Sequence, residues 1–386
     1  MTSRAVWSIG CGQLVNWGVL YYAFGVLLLP LEQTLNAPRW LVAGAFSLGL
    51  LVSAIAAPAV GRLADRGQGP AVMQAGGYSA AGFLIAWALL PTIWTTYLVW
   101  AALGLCMAGI LYEPVFAIVG RAYADANDRL RAIATITVMG GLASTAFLPG
   151  TTWLVSRMGW RTAVIVLAFI MAATTLVVSR LSFRDATFSV TGLRDAVFGT
   201  SVHSITAPGS TLSRLVAVFA MSSIVNSALA SNIVAALIER RLTPSRAALI
   251  GGLFGVMQVP GRLLMTNKSF TPAPFPLLLV SFGLQIVGLV ALMADTLQAA
   301  MWIGVIVFAS GAGLTTLARP YLVLHVYGAE QAGRVNGVIA RGQQLARAAG
   351  PVSAAALASF TGYGKVFAAL AALLVAAIVV TPIRRT

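Results

Sequence analysis

The sequence predicts an all-α membrane protein of twelve transmembrane helices, arranged as two pseudo-symmetric six-helix bundles. Three observations predict it. First, 59% of the 386 residues are hydrophobic and only 9% are charged. A soluble domain carries roughly 25% charged residues, so this chain cannot cover a water-facing surface. Second, the apolar residues recur in runs of about 20, the length that crosses a hydrocarbon layer of roughly 30 Å. Strand-length alternating segments are absent, which makes the helix the spanning element rather than a barrel strand. Third, a single long polar stretch, Arg180–Arg214, divides the runs into six and six.

The first bundle opens with Val6–Leu31. Met1-Thr2-Ser3-Arg4 leads directly into it. The run is too long for the core of a secretory signal and has no clear cleavage site, so it is expected to stay as a helix. Trp40–Val60, Ala71–Leu90, Thr95–Val119, Ala132–Val155 and Arg161–Ser179 complete the first six spans. Leu215–Leu237, Arg246–Asn267, Pro274–Ala294, Ala299–Leu322, Val335–Ala358 and Gly364–Thr381 form the second six. The expected domains are residues 1–180, a central cytoplasmic loop over 181–213, and residues 214–386.

Positive charge sets orientation. With the N-terminus inside, 14 of the 25 Lys and Arg residues fall in cytoplasmic segments, 7 fall outside, and Arg262, Arg319, Arg341 and Arg347 fall within spans. The chain is therefore expected to cross the cell inner membrane many times, with both termini cytoplasmic. A net charge of +15 would suggest nucleic acid in a soluble protein. Here it reflects loop charges that set topology and basic groups inside the membrane. Cys11 and Cys106 both sit in apolar runs, without a disulfide framework or metal-ligand company. No nucleotide-binding loop, metal cluster or nucleophile–base pair is present, so neither an enzyme nor a cofactor is expected.

The two halves share short stretches. Gln13-Leu14-Val15-Asn16-Trp17 in the first span matches Ser223-Ile224-Val225-Asn226-Ser227 in the seventh, with Arg4 and Arg214 at the same offset. Leu111-Tyr112-Glu113-Pro114 in the fourth matches Leu317-Ala318-Arg319-Pro320 in the tenth. Matches in the same order, in spans three apart, suggest a duplicated six-helix unit. Parallel repeats of this kind put a substrate site near mid-membrane, between the halves.

Between the second and third spans the chain reads Gly61-Arg62-Leu63-Ala64-Asp65-Arg66-Gly67. This resembles the G-x-L-a-D-r-x-G signature of the major facilitator superfamily. Gly61 is expected to permit close helix approach. Asp65 is expected to face the positive N-terminal end of a neighbouring helix, which the resemblance implies is helix 11. Gln68-Gly69-Pro70 departs from the family's glycine and basic pair. Within the superfamily, Tyr22-Ala23-Phe24-Gly25-Val26, Pro30-Leu31-Glu32 and Trp17-Gly18 resemble the first helix of the monocarboxylate and oxalate–formate antiporter branch. The drug–proton antiporter branch fits less well, with Trp100 at its helix-4 arginine position and Leu148-Pro149 at its helix-5 Gly-Pro position.

A charged residue within a span is costly and is a functional candidate by default. Ending the eighth span near Pro260 would leave about 15 residues, or roughly 22 Å, too short to cross. Carrying it to Asn267 embeds Arg262. Resemblance to monocarboxylate transporters aligns Gln258 and Arg262 with an Asp-x-x-x-Arg pair that handles the substrate anion and its proton. The alternative for Arg262 is a side chain snorkelling to the cytoplasmic end. Arg347 lies about 12 residues into the eleventh span; resemblance to oxalate–formate antiporters implies a basic clasp on a carboxylate. Its alternative is a structural pair with helix carbonyls.

Glu113 and Arg319 hold equivalent places in the fourth and tenth spans, each before a proline that permits a bend. They are expected to pair across the cavity as an inner gate, with Glu113 also able to carry a proton. Gln13, Asn16, Trp17 and Tyr21 share one helix face, as do Ser223, Asn226, Ser227 and Ser231. Either stripe could line a cavity or bond neighbouring helices.

These readings point to a monomeric secondary active transporter of a small organic anion, a monocarboxylate or dicarboxylate, working by alternating access, with protons as the candidate coupling ion. Substrate contacts are expected from Arg262, Arg347, Gln258, Asn16, Tyr21 and Asn226, gating or proton coupling from Glu113 and Arg319, and conformational control from Gly61, Asp65 and Arg66. The expected partners are the anion and the lipid bilayer, with no nucleic acid. Drug or metabolite efflux by proton antiport is the alternative, and a non-transporting membrane sensor is disfavoured by the missing soluble domain.

Overall fold

A computed structural model describes residues 2–123, 125–183, 210–264, 272–294 and 298–382. Among the described residues every regular element is a helix. The chain divides into two compact units, one holding α1–α6 and the other α7–α12, with the short segment Pro38–Ala43 grouped with the second. Most of the expected central loop, and Arg184, Arg194, Lys268, Arg384 and Arg385, lie outside the described residues.

In the first unit, α1 spans Ser3–Leu35 and carries a wide π turn at Gly18–Tyr22. The Thr2 hydroxyl caps its start by accepting from the Ala5 amide. α2 (Arg39–Leu63) passes through a second π turn, Ala64–Gln68, into α3 (Gly69–Leu89). Gly67 supplies the left-handed backbone of that turn at φ 87°, which a side chain would disfavour. α4 covers Ile93–Ala122 and begins with a Thr92–Thr95 capping box. It is interrupted at Leu111, whose backbone is extended. α5 (126–158) bends at Leu142, next to the pair Gly140-Gly141. α6 (160–182) starts after Gly159, at φ 76°.

In the second unit, α7 is Ser210–Glu239. α8 (244–264) is Pro244–Val256 and Gln258–Leu264 separated by a turn at Met257. α9 is Pro274–Met293 and α10 is Gln298–Gly328. α11 (329–361) bends at Ala348, and α12 is Tyr363–Val380. Each expected span coincides with one of these helices. Among the described residues eight stretches are individually long and apolar enough to cross a membrane; two of them, Arg39–Leu89 and Asp128–Ser182, hold two rods each.

Small residues let the rods pack backbone to backbone. α2 meets α4 at Gly49 and Gly104, where a Cβ on Gly104 would stand 2.3 Å from the Gly49 carbonyl oxygen. α11 meets α7 at Gly350, where a Cβ would stand 2.7 Å from both the Ala228 amide nitrogen and the Ile224 carbonyl oxygen. At Gly61 no close helix approach is seen among the described residues, since no neighbouring element's atom lies within 4 Å of where its Cβ would sit.

Candidate functional site

Prolines decide where the polar side chains of the first unit go. In a continuous helix the Ile110 carbonyl would accept from the amide of residue 114, but Pro114 has none. The chain breaks at Leu111 instead. The Gln13 side-chain amide donates to the Ile110 carbonyl at 2.7 Å and the Asn16 amide at 3.2 Å, and both side chains are buried. Gln13 and Asn16 are thus the groups that hold a broken α4 against α1. Tyr21 is also buried. Its ring lies 5.3 Å from Trp17 and 5.5 Å from Phe46, edge-on to each. Trp17 continues the cluster to Tyr112 at 5.0 Å, and Tyr112 stacks on Phe116. Trp100 is fully buried against Phe24, Phe46 and Trp87, a core position. Glu113, in the first turn after the break, is exposed within this unit.

In the second unit the Asn226 amide donates to the Ser222 carbonyl at 2.8 Å and to the Gln285 side-chain oxygen at 3.2 Å. Gln285 in turn donates to the Thr315 hydroxyl at 2.9 Å, which shares a 2.8 Å hydrogen bond with Ser281. Asn226 therefore heads a buried network running from α7 through α9 to α10. Asn232 extends the polar face of α7, accepting from the Tyr363 hydroxyl of α12 at 3.0 Å.

Arg347 sits in the last turn before the bend in α11, half-buried. Its carbonyl would accept from residue 351, and Pro351 offers no amide. The Ser227 hydroxyl of α7 donates to that carbonyl at 2.8 Å. This is the device seen at Ile110, with the same three-residue interval between turn and proline. Gln258 is buried and donates to the Phe254 carbonyl of its own helix at 3.1 Å. The backbone helix Gln258–Leu264 continues past Pro260 through Arg262; the expected end at Asn267 and the Arg262 side chain lie outside the described residues. Arg319 is half-buried and donates to the side-chain oxygen of Gln343 on α11, within its own unit.

Within the first unit the loop signature is held through its backbone. Asp65 and Arg66 are exposed within the first unit. What ties the turn down is Arg121, in the last turn of α4, which donates to the Asp65 carbonyl and lies near Gly67, 3.5 Å from its projected Cβ.

The sequence reading missed Arg121, Gln285, Thr315 and Gln343. In the sequence Arg121 is one more positive charge at the end of a span, with no motif around it. For Gln285, a polar residue in an otherwise apolar span was an available signal, because buried amides require partners. Among the described residues no group of three or more His, Cys, Asp and Glu could hold a metal.

A family model described as the Major Facilitator Superfamily matches residues 9–351. No curated protein sequence matches the chain. Among solved structures, a bacterial homolog of the human lysosomal transporter Spinster superposes with a TM-score of 0.74 at 15% identity, covering 98% of this chain and 96% of that one. The human organic anion transporter MFSD10 gives 0.66 at 17% identity, covering 98% and 99%. The nucleoside transporter NupG gives 0.71 at 15%, covering 98% and 98%. At these identities the likeness speaks to the fold.

Proposed function

The chain belongs to the major facilitator superfamily, and on that premise we propose that it is a secondary transporter of a small organic anion, a monocarboxylate or dicarboxylate. Family membership makes it a multi-pass membrane transporter rather than an enzyme. The anion reading rests on one observation, a half-buried arginine at the interior bend of α11. Arg347 is not an isolated charge. From Pro244 onward the sequence carries two acidic residues, Asp295 and Glu330, against Arg262, Arg319, Arg341 and Arg347 in the spans. Embedded charge is costly and tends to be kept for function, and an excess of cations inside favours an anionic guest. One structural neighbour is described as an organic anion transporter; this agrees with the reading but does not carry it. We place the chain in the cell inner membrane as a monomer, with both termini cytoplasmic.

The test is counterflow of labelled small carboxylates in proteoliposomes at two pH values. The wild type should exchange at least one of them. Arg347→Ala should abolish binding while expression stays intact, because the contact that fixes the bend uses the Arg347 carbonyl and survives the substitution. Unchanged carboxylate affinity in both Arg347→Ala and Arg262→Ala overturns the reading. Glu113, a carboxylate within a span, favours the second reading of drug or metabolite efflux by proton antiport. That reading is distinguished by pH-driven extrusion of a lipophilic compound without carboxylate exchange.

A further inference from the structure

The first unit carries a groove on its surface that the transport reading does not use. It lies between the first half of α1 and the last two turns of α6, and has a volume of about 390 Å³. Its walls are Trp7, Cys11, Thr174, Val177, Val178 and Leu181, and its end at the start of α1 is lined by Ser3 and Arg4. The walls are open rather than sealed by protein: Trp7 is 54%, Val177 51% and Leu181 58% exposed. In a membrane chain, such a surface meets lipid tails.

The charge at one end selects among lipids. Arg4 stands in the first turn of α1, exposed, where the unpaired amides of the helix start add positive potential. The last turn of α6 arrives at the same place. The Ser182 hydroxyl donates to the Ala5 carbonyl at 3.4 Å, and Arg180, two residues earlier, is exposed. Over Ser3–Leu35 and Ala143–Ser182 the only acidic residue is Glu32, at the opposite end of α1. Two cations thus stand at the mouth of an apolar channel. Trp7 lies one helical turn from Arg4, where an indole is suited to the interface between headgroups and tails.

We propose that this groove is a binding site for an anionic glycerophospholipid of the leaflet that meets the start of α1. One acyl chain lies along Trp7, Cys11 and Val177, and the headgroup phosphate is held by Arg4 and the α1 amides. Arg180 adds to the field. The site is independent of the transported solute.

Native mass spectrometry of the full-length protein, purified from mixed phosphatidylglycerol and phosphatidylcholine nanodiscs, tests it. The wild type should retain one phosphatidylglycerol in preference to phosphatidylcholine. A cation near the surface contributes about 1 kcal/mol to anionic lipid attraction, so Arg4→Gln should cut that retention about fivefold and leave phosphatidylcholine unchanged. Val177→Trp, which fills the channel without touching the charge, should lower retention of both lipids. Equal retention of the two lipids by the wild type, no retained lipid at all (as when another part of the chain fills the groove), or an Arg4→Gln variant that keeps the preference would each overturn the proposal.

Discussion

Pro114 and Pro351 act at the scale of single residues by removing an amide, and the freed carbonyl then recruits a side chain from another helix. An orphaned carbonyl in hydrocarbon has no water to turn to. Gln13 and Asn16 supply the Ile110 carbonyl, and Ser227 supplies the Arg347 carbonyl. Polar residues on α1 and α7 that would otherwise be expensive in a membrane are therefore structural on at least one side of their function. The Gln13 bond is the shorter of the two at Ile110, so Gln13→Ala should destabilise the protein by about 1 kcal/mol. In a Pro114→Ala background the chain can supply its own amide, and the same substitution should then cost less. Unfolding by steric trapping or denaturant, read as a double-mutant cycle, checks this; an equal cost in both backgrounds would count against the carbonyl as the cause. Asn16 was legible as important from its helix face and its match to Asn226. Its partner was not legible, because a hydrogen bond across 94 residues to a backbone oxygen leaves no side-chain signature in the sequence.

At the scale of elements, three helices turn at a residue three positions before a proline: Leu111 before Pro114, Met257 before Pro260, and Ala348 before Pro351. The common interval follows from the missing amide together with the clash of the ring with the preceding turn. Pro30, Pro58, Pro149 and Pro320 sit inside helices that continue through them. Proline therefore marks where a break is permitted, and tertiary partners decide where one occurs. This limits the repeat as a guide. Glu113-Pro114 and Arg319-Pro320 are matched in sequence, yet α4 is broken and α10 is not. The twelve spans were legible because length and apolarity suffice to define them. The bends were only partly so, and the bend at Leu142 follows a glycine pair rather than a proline. How tightly α11 seats on α7 sets a further expectation. Gly350→Ala would press a Cβ into the backbone of Ile224 and Ala228, which cannot move aside as a flexible side chain could, and should cost about 2 kcal/mol or more. Gly150→Ala, in a helix with no neighbouring atom within 4 Å, should instead be neutral or gain up to about 1 kcal/mol. Thermal melting of the two purified variants separates them, and equal melting shifts would contradict the packing argument.

At the scale of the whole molecule, the proposed anion transport could be tied to protons only through groups able to carry one, and the described residues offer few of these within the spans. Glu113 is the carboxylate the sequence places well inside one. It stands in the first turn of the second half of α4, immediately after the break at Leu111, and its side chain is exposed within its unit. A carboxylate there is reached without opening a packed core. The break is held by Gln13 and Asn16, and the amide keeps the size and shape of the carboxylate, so Glu113→Gln should leave the architecture in place. The expectation for a proton carrier is specific. Glu113→Gln is permanently neutral, so it should lose accumulation driven by a pH gradient while retaining exchange of solute for solute, which needs no net proton movement. A residue needed only for folding would lose both together, and one with no role would lose neither. Proteoliposomes carrying the variant, assayed for gradient-driven uptake and for counterflow under the same conditions, discriminate among the three. Normal gradient-driven accumulation by Glu113→Gln would remove it from the coupling mechanism and direct the search to groups outside the spans.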